Sequence, residues 1–239
     1  MEIEMENEME NESKKYEDYI KWKGWLGERN PFFCISEEQA AEIKFQFKVS
    51  KVEWKNIRAL EIGYGSGKVL RFLHDNGCQV AGVEIQNELL KAAQDQAINV
   101  YKSITEVKDT CDLIIAFDVL EHLSIDQLKE LFSCAYKILD ANGKMLFRFP
   151  NGDSYAGLAA QNGDYTHITS IGKSKLQQLI EPYGFVIESF QGAIEYPHRP
   201  ITRAFHWLFR SVLIKLIGFN RPYFFSGNVV AVVKRKKTK

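Results

Sequence analysis

Four cysteines are all that the 239 residues contain, and Cys34, Cys78, Cys111 and Cys134 stand far apart with no C-x-x-C pair. That scarcity excludes a zinc knuckle and a disulfide framework, and it fits a reducing cytoplasm. No apolar run reaches the roughly 18 residues of a membrane-spanning helix. The basic start of a signal peptide is missing too: the chain opens MEIEMENEMENES, acidic, repetitive and with almost nothing to bury. These absences lead us to expect a soluble cytoplasmic protein with a disordered acidic tail over residues 1–15. An excess of either charge is also lacking, since the formal net charge is +0. The acidic start is balanced by Lys234, Arg235, Lys236, Lys237 and Lys239 at the other end, and between the tails the signs nearly match. No basic stripe is left for nucleic acid to bind, so no nucleic-acid partner is expected.

Against these absences, 45% of the residues are hydrophobic and 13% aromatic, enough for one α/β core with additions. SEEQAAEIKFQFK reads as a helix capped by Ser36. IRALEIG is a short buried strand, GKVLRFLHDNG a helix ended by Gly77, and CQVAGVEI a second strand. The alternation continues through NELLKAAQDQA, INVYKSI, CDLIIAFDV and SIDQLKELFSCAYKIL to a fifth strand, GKMLFRFP, after an Asn142-Gly143 turn. FVIESF and GNVVAVV complete seven strands. Strands alternating with helices predict an α/β fold with a doubly wound, mainly parallel sheet.

The stretch EIGYGSGKVL, residues 61–70, carries glycine at 63, 65 and 67. A nicotinamide fingerprint would need a further glycine at 68, where Lys68 stands, so a dehydrogenase is disfavoured. The pattern is instead acid-x-Gly-x-Gly-x-Gly from Glu61, with a second acid, Glu84, closing the next strand. Glycines let the backbone turn sharply and let a ligand come close where a Cβ would clash. A carboxylate at the end of the second strand can accept hydrogen bonds from two ribose hydroxyls. Together they point to a ribose-bearing cofactor without a pyrophosphate.

LEIGYGSGKVL, VAGVEI and CDLIIAFDVLEHL, in that order and spacing, resemble successive motifs of the class I S-adenosylmethionine-dependent methyltransferases over roughly residues 55–190. The resemblance implies a Rossmann-like seven-stranded sheet with an antiparallel last strand, and S-adenosyl-L-methionine as cofactor. It implies that Glu61, Gly63, Tyr64, Gly65 and Gly67 border the methionine part. Glu84 would meet the ribose, Ile85 the adenine face with Ser103 and Ile104 nearby, and Phe117 and Asp118 the edge beneath the sulfonium. The catalytic domain would run over 55–239 with a helical insertion at about 195–222, preceded by a lead-in or lid over 16–54.

Methyl transfer from a sulfonium is an in-line displacement, and a base is needed only where the acceptor must shed a proton. One candidate cluster is DVLEH, Asp118 to His122, although Asp118 and Glu121 also stand at capping-box spacing and could begin a helix. The other is the polar stretch 148–172, which follows the fifth strand to the same end of the sheet. We expect Arg148, Asn151 and Asp153 to bind the acceptor. His167 is the expected base, since histidine titrates near neutrality, with His122 and Asp164 beside it; packing or capping is the alternative for His167. Asp118, Glu121, His122 and His167 also resemble the acid-x-x-Glu-His plus distant His set with which some RNA-end and ubiquinone O-methyltransferases hold a divalent ion. The same dipeptide occurs in metal-free methyltransferases, and no metal is assigned.

KWKGW, LEIGYGSGKVL and RFPNGDS…QNGDYTHITSIG together look like a bacterial subgroup associated with surface-polysaccharide biosynthesis. The resemblance implies O-methylation of a saccharide or related small molecule. A quinone, RNA end or protein side chain is the alternative acceptor, and a non-catalytic cofactor-binding protein is the rival of another class. ITRAFHWLFRSVLIKLIGF, in the insertion, aligns Phe205, Leu208, Phe209, Val212 and Leu216 on one face, with Arg203, Arg210 and Lys215 among the other positions. Packing within the protein is the expected role, and peripheral contact with an anionic membrane the other.

Overall fold

A computed structural model describes residues 22–27, 31–193, 212 and 226–236. The expected acidic tail, and all of the amphipathic insertion helix except Val212, lie outside these residues. Seven strands form one sheet in the order β3-β2-β1-β4-β5-β7-β6. They are β1 (Arg58–Ile62), β2 (Gln79–Val83), β3 (Asn99–Tyr101), β4 (Cys111–Phe117), β5 (Leu139–Pro150), β6 (Phe185–Gly192) and β7 (Asn228–Arg235). β7 runs antiparallel between β5 and β6, and the pairings among β1 to β5 are parallel. The expected doubly wound sheet with an antiparallel last strand is what the chain builds.

The helices are α1 (Glu37–Ser50), α2 (Lys68–Asp75), α3 (Asn87–Gln94), α4 (Ile125–Ile138), α5 (Tyr155–Asn162) and α6 (Lys173–Ile180). Ser36 caps α1 through a reciprocal capping box with Gln39, and Ser124 caps α4 in the same way with Gln127. Asp118 and Glu121 therefore do not cap a helix. Asp118 precedes, and Glu121 lies within, a 3-10 turn, Leu120–His122, that ends two residues before the real cap, Ser124. The third strand is shorter than INVYKSI, because Ser103 bonds back to Thr105 N–H and turns the chain into a 3-10 segment, Ile104–Glu106. The fifth is longer than expected. It starts at Leu139 and absorbs the Asn142-Gly143 turn, where its register with β4 shifts.

Chain order reverses direction between β1 and β4, so their carboxyl ends open a crevice in which doubly wound sheets bind ligands. A different groove of about 420 Å³ lies at the amino ends of β1 to β4, where the β3–β4 link has one 3-10 turn in place of a helix. Among the described residues, no helix is long and apolar enough to cross a membrane.

The middles of β4 and β5 are buried, and Phe147 of β5 meets Phe132 of α4 edge to face, with centroids 6.0 Å apart and both rings fully buried. This contact fixes α4 to the centre of the sheet. Phe147→Ala should cost about 3–5 kcal/mol of stability, the range for emptying a buried aromatic site, as urea unfolding would measure.

Candidate active site

Gly63, Gly65 and Gly67 all have positive φ (65°, 50° and 73°) as the chain leaves β1 and enters α2. At Gly63, an added Cβ would lie 2.6 Å from Val119 Cγ2, so the loop after β1 sits hard against the turn after β4. The second acid anchors the loop. Glu84, buried at the end of β2, accepts from Gly65 N–H (3.3 Å), Ile85 N–H (2.9 Å) and Gln86 N–H (3.3 Å). Burial still pushes its pKa up in spite of these bonds. Glu61 is buried beside it, and burial raises its pKa well above the usual carboxylate range, with the Glu84 charge adding to the rise. Its Oε2 has no hydrogen-bond partner among the described residues. A desolvated carboxylate oxygen left in this way calls for a cation or a donor from outside the chain.

Beyond Glu84, Ile85 is 51% exposed, an apolar surface placed to be covered by a flat ring. Tyr64 is not at the surface. Its ring is buried against Gly82, where a Cβ would fall 2.4 Å away, so only its backbone can border a ligand. Ile104 is likewise buried in the core, and Ser103 Oγ is engaged with Thr105.

Across the crevice, Asp118 follows β4 with a positive φ of 58°. Its carboxylate takes the Arg148 guanidinium in a two-point fork, with Nε to Oδ1 at 3.0 Å and Nη2 to Oδ2, while the guanidinium lies 4.8 Å over the Phe117 ring. The pair is partly exposed, so it contributes at most about 1 kcal/mol; its role is to pin β5 to β4. Asn151 is buried, donating from Nδ2 to Ser226 O (3.1 Å) and accepting from Asp153 N–H (3.1 Å). Asp153 accepts from Lys173 N–H (2.8 Å) at the start of α6. The three residues expected to bind the acceptor thus frame the loop. Sequence gives their polarity and place but not their partners.

The remainder of that loop folds onto the turn after β4. Ile168 N–H and Thr169 N–H both donate to Glu121 O (2.9 and 3.0 Å), and Thr169 Oγ1 donates to Leu123 O (2.6 Å). This brings His122 and His167 together edge to face with centroids 4.6 Å apart. Their tautomers follow from their neighbours. His167 Nδ1 lies 3.1 Å from Ala160 O and 3.2 Å from Gln161 O, and carbonyls only accept, so Nδ1 carries the proton. Thr166 Oγ1 gives its proton to Asp164 Oδ1 (2.6 Å) and therefore accepts from His122 Nδ1 (2.9 Å). Each imidazole consequently holds its lone pair at Nε2. His167 Nε2 lies 3.9 Å from Glu121 Oε1 and from Asp164 Oδ2, and one ligand atom from each of Glu121, His122 and His167 lies within 4.8 Å of the others.

Burial keeps this cluster largely uncharged. Burial, with the His167 charge adding to it, lowers the His122 pKa to about 4, so His122 is neutral at physiological pH. Burial, with Asp118 adding to it, pushes Glu121 up to about 8. The structure therefore brings His122, Asp164 and His167 into one cluster, as expected. Glu121, part of the expected Asp118 to His122 cluster, sits among them, and Thr166 is the link that sets the His122 tautomer. The only signal for Thr166 in sequence is its position between Asp164 and His167.

A methyltransferase-domain family model matches residues 35–189, and the chain belongs to that family. Its class is that of the S-adenosylmethionine-dependent methyltransferases with the Rossmann-like fold. A structure of such a methyltransferase from Archaeoglobus fulgidus superposes with a TM-score of 0.62 at 21% identity, covering 82% of this chain and 94% of that one. The mouse mitochondrial ubiquinone biosynthesis O-methyltransferase is 23% identical over 177 residues, 63% of this chain and 46% of its own. The corresponding Vibrio cholerae protein is 26% identical over 150 residues, 57% of this chain and 58% of its own. The chain thus spans about half the length of the curated relatives it matches.

The displaced Glu121 titration has a signed consequence for stability. Glu121 stays protonated in the folded chain up to about pH 8, but ionises near 4.5 once unfolded. Between those values folding takes up a proton, so this contribution to stability falls as pH rises. Glu121→Gln should therefore match the wild type near pH 5. By pH 8 it should gain on the wild type by an amount on the order of 1–3 kcal/mol, measured by urea unfolding at the two pH values.

Proposed function

We propose that this protein transfers the methyl group of S-adenosylmethionine to a hydroxyl oxygen of a small molecule, with His167 as proton acceptor and neutral His122 beside it. The single observation that carries the reading is the approach of His167 Nε2 to buried Glu121 Oε1 (3.9 Å), with His122 in the same cluster, at the ligand-binding end of the sheet. A hydroxyl is a methyl acceptor that must shed a proton as it attacks. For the cofactor, Glu61 Oε2 is suited to an ammonium group, Glu84 to ribose hydroxyls in addition to its backbone donors, and the exposed face of Ile85 to adenine. When bound, S-adenosylmethionine supplies an electrophilic methyl group on a positively charged sulfur. The chain's own residues orient the acceptor and receive its proton.

For the acceptor, a saccharide rests on the polarity of the 148–172 loop, and the polar groups assigned to it are engaged in framing that loop. The same stretch leaves Tyr155, Leu158, Tyr165 and Ile168 exposed, which favours an acceptor with an apolar or aromatic body. A phenolic hydroxyl, with a pKa of about 10, also yields its proton to imidazole far more readily than an alcohol does. The relatives named for ubiquinone biosynthesis are consistent with a phenolic acceptor.

A second reading is favoured by the same cluster. Two imidazoles with fixed lone pairs and a buried carboxylate are chemically suited to a divalent transition-metal ion, and backbone carbonyls behind His167 are the usual outer support of such a ligand. Glu121, His122 and His167 would hold the ion, which would lower the pKa of a bound hydroxyl. Asp118, the fourth member of the expected set, is tied to Arg148.

Incubation with labelled S-adenosylmethionine and either catechol or a polysaccharide extract tests the reading. Label on catechol is the expected result; label on polysaccharide alone restores the saccharide. His167→Ala should lower turnover by about 10²–10⁴-fold while leaving cofactor affinity intact, as calorimetry would show. On the metal reading, a chelator abolishes activity and Zn²⁺ or Mn²⁺ restores it; indifference to chelation leaves His167 as the sole base.

A further inference from the structure

We propose that Trp25 contacts the cofactor, and that the turn around it is a clasp joining the cofactor loop to the acceptor loop. The inference rests on the cofactor reading above and extends it to a segment outside the sheet.

The space a Cβ would fill at Gly65 is held by the Trp25 indole, whose Cζ2 lies 2.9 Å from that position and Cη2 3.1 Å. Phe32 does the same at Gly67, at 3.0 Å, and Phe33 N–H donates to Ser66 O at 2.9 Å. Three successive residues of the loop, 65 to 67, are thus each covered by the segment that precedes α1. A close approach that glycines commonly offer to a ligand is here taken partly by an aromatic edge. Trp25 is half-buried: it packs against the core cluster around Phe33 and Tyr64, and part of its surface stays accessible.

Two residues back along the same turn, Lys23 Nζ lies 3.9 Å from Asp164 Oδ2, which is also 3.9 Å from His167 Nε2. Residues 23 and 25 therefore touch opposite sides of the crevice, one at the proton-accepting cluster and the other at the glycine loop. The chemistry at the loop suits an indole. A ligand bearing a sulfonium and an ammonium beside the buried Glu61 and Glu84 carboxylates gains from an aromatic face as well, because a ring attracts a desolvated cation. That attraction depends on the charge at sulfur, so it discriminates S-adenosylmethionine from its neutral-sulfur product, S-adenosylhomocysteine.

Calorimetry on the full chain with both compounds tests this. Trp25→Ala should weaken S-adenosylmethionine binding by about tenfold and S-adenosylhomocysteine binding less, with Trp25→Phe close to wild type and Trp22→Ala unchanged. The phenylalanine variant keeps the test valid if the alanine variant folds poorly. Hydrogen exchange provides the second measurement. S-adenosylmethionine should slow exchange at residues 22–27 in the wild type, and Lys23→Met should reduce that protection. Affinity in Trp25→Ala within twofold of wild type, or tighter, overturns the proposal, as does exchange at 22–27 that ignores the ligand. A wild-type chain that binds neither compound would instead overturn the cofactor reading itself.

Discussion

The site depends on one backbone oxygen. Glu121 O, in the 3-10 turn after β4, takes two N–H groups from the 164–169 loop, and nearly everything chemical in the crevice follows from that attachment. It sets His167 beside His122, brings Asp164 to the edge of the pair, and through Thr166 determines which nitrogen of His122 carries a proton. A carbonyl that would otherwise face the crevice is satisfied by two donors that would otherwise be bare, so the loop loses little in becoming ordered. The turn is itself held down by Val119 against Gly63, which ties the geometry of the histidine pair to that of the cofactor loop.

Charge in the crevice is arranged in an uneven way. Glu61, Glu84 and Glu121 are buried carboxylates with pKa values pushed up, and His122 is a buried imidazole held neutral. For the carboxyls the cost of ionising comes from desolvation and is relieved by positive charge entering the site, whereas such charge keeps His122 neutral. Among the described residues, Arg148 is paired with Asp118, and Lys23 stands at the rim beside Asp164. A crevice of this kind is under tension when empty and gains from a cationic ligand, which links the folding energetics of the chain to its occupancy.

The sheet was legible because its signals are local and periodic. Short β-rich runs alternate with amphipathic helices, and glycine turns mark the joints, so strand number could be expected from the chain alone, while the sense of the last strand was implied by the family resemblance. Element ends were less so. Side-chain bonds such as Ser103 to Thr105, or Ser124 with Gln127, decide where a segment stops, and their competition with neighbouring caps is invisible in a periodicity. Within the site, the glycine loop and Glu84 stood out because backbone conformation constrains residue type there. Asn151 and Asp153 were less legible for the opposite reason: a polar side chain reads the same whether it faces a ligand or holds a loop. Tyr64 lay inside the motif, yet its ring turned into the core, since a motif fixes the backbone and leaves the side chain to find its own neighbours.

Cysteine, scarce and scattered in this chain, acquires a use from where the fold puts it. Cys78 and Cys111 are buried and Cys134 is half-buried, whereas Cys34 is exposed and follows directly on Phe33, the residue bonded to the glycine loop. A thiol-reactive dye will therefore favour a single position, at the hinge between the leading segment and α1, without any engineered substitution. The native chain thus carries a ready attachment point for watching, by anisotropy or energy transfer, whether that segment moves as the crevice fills.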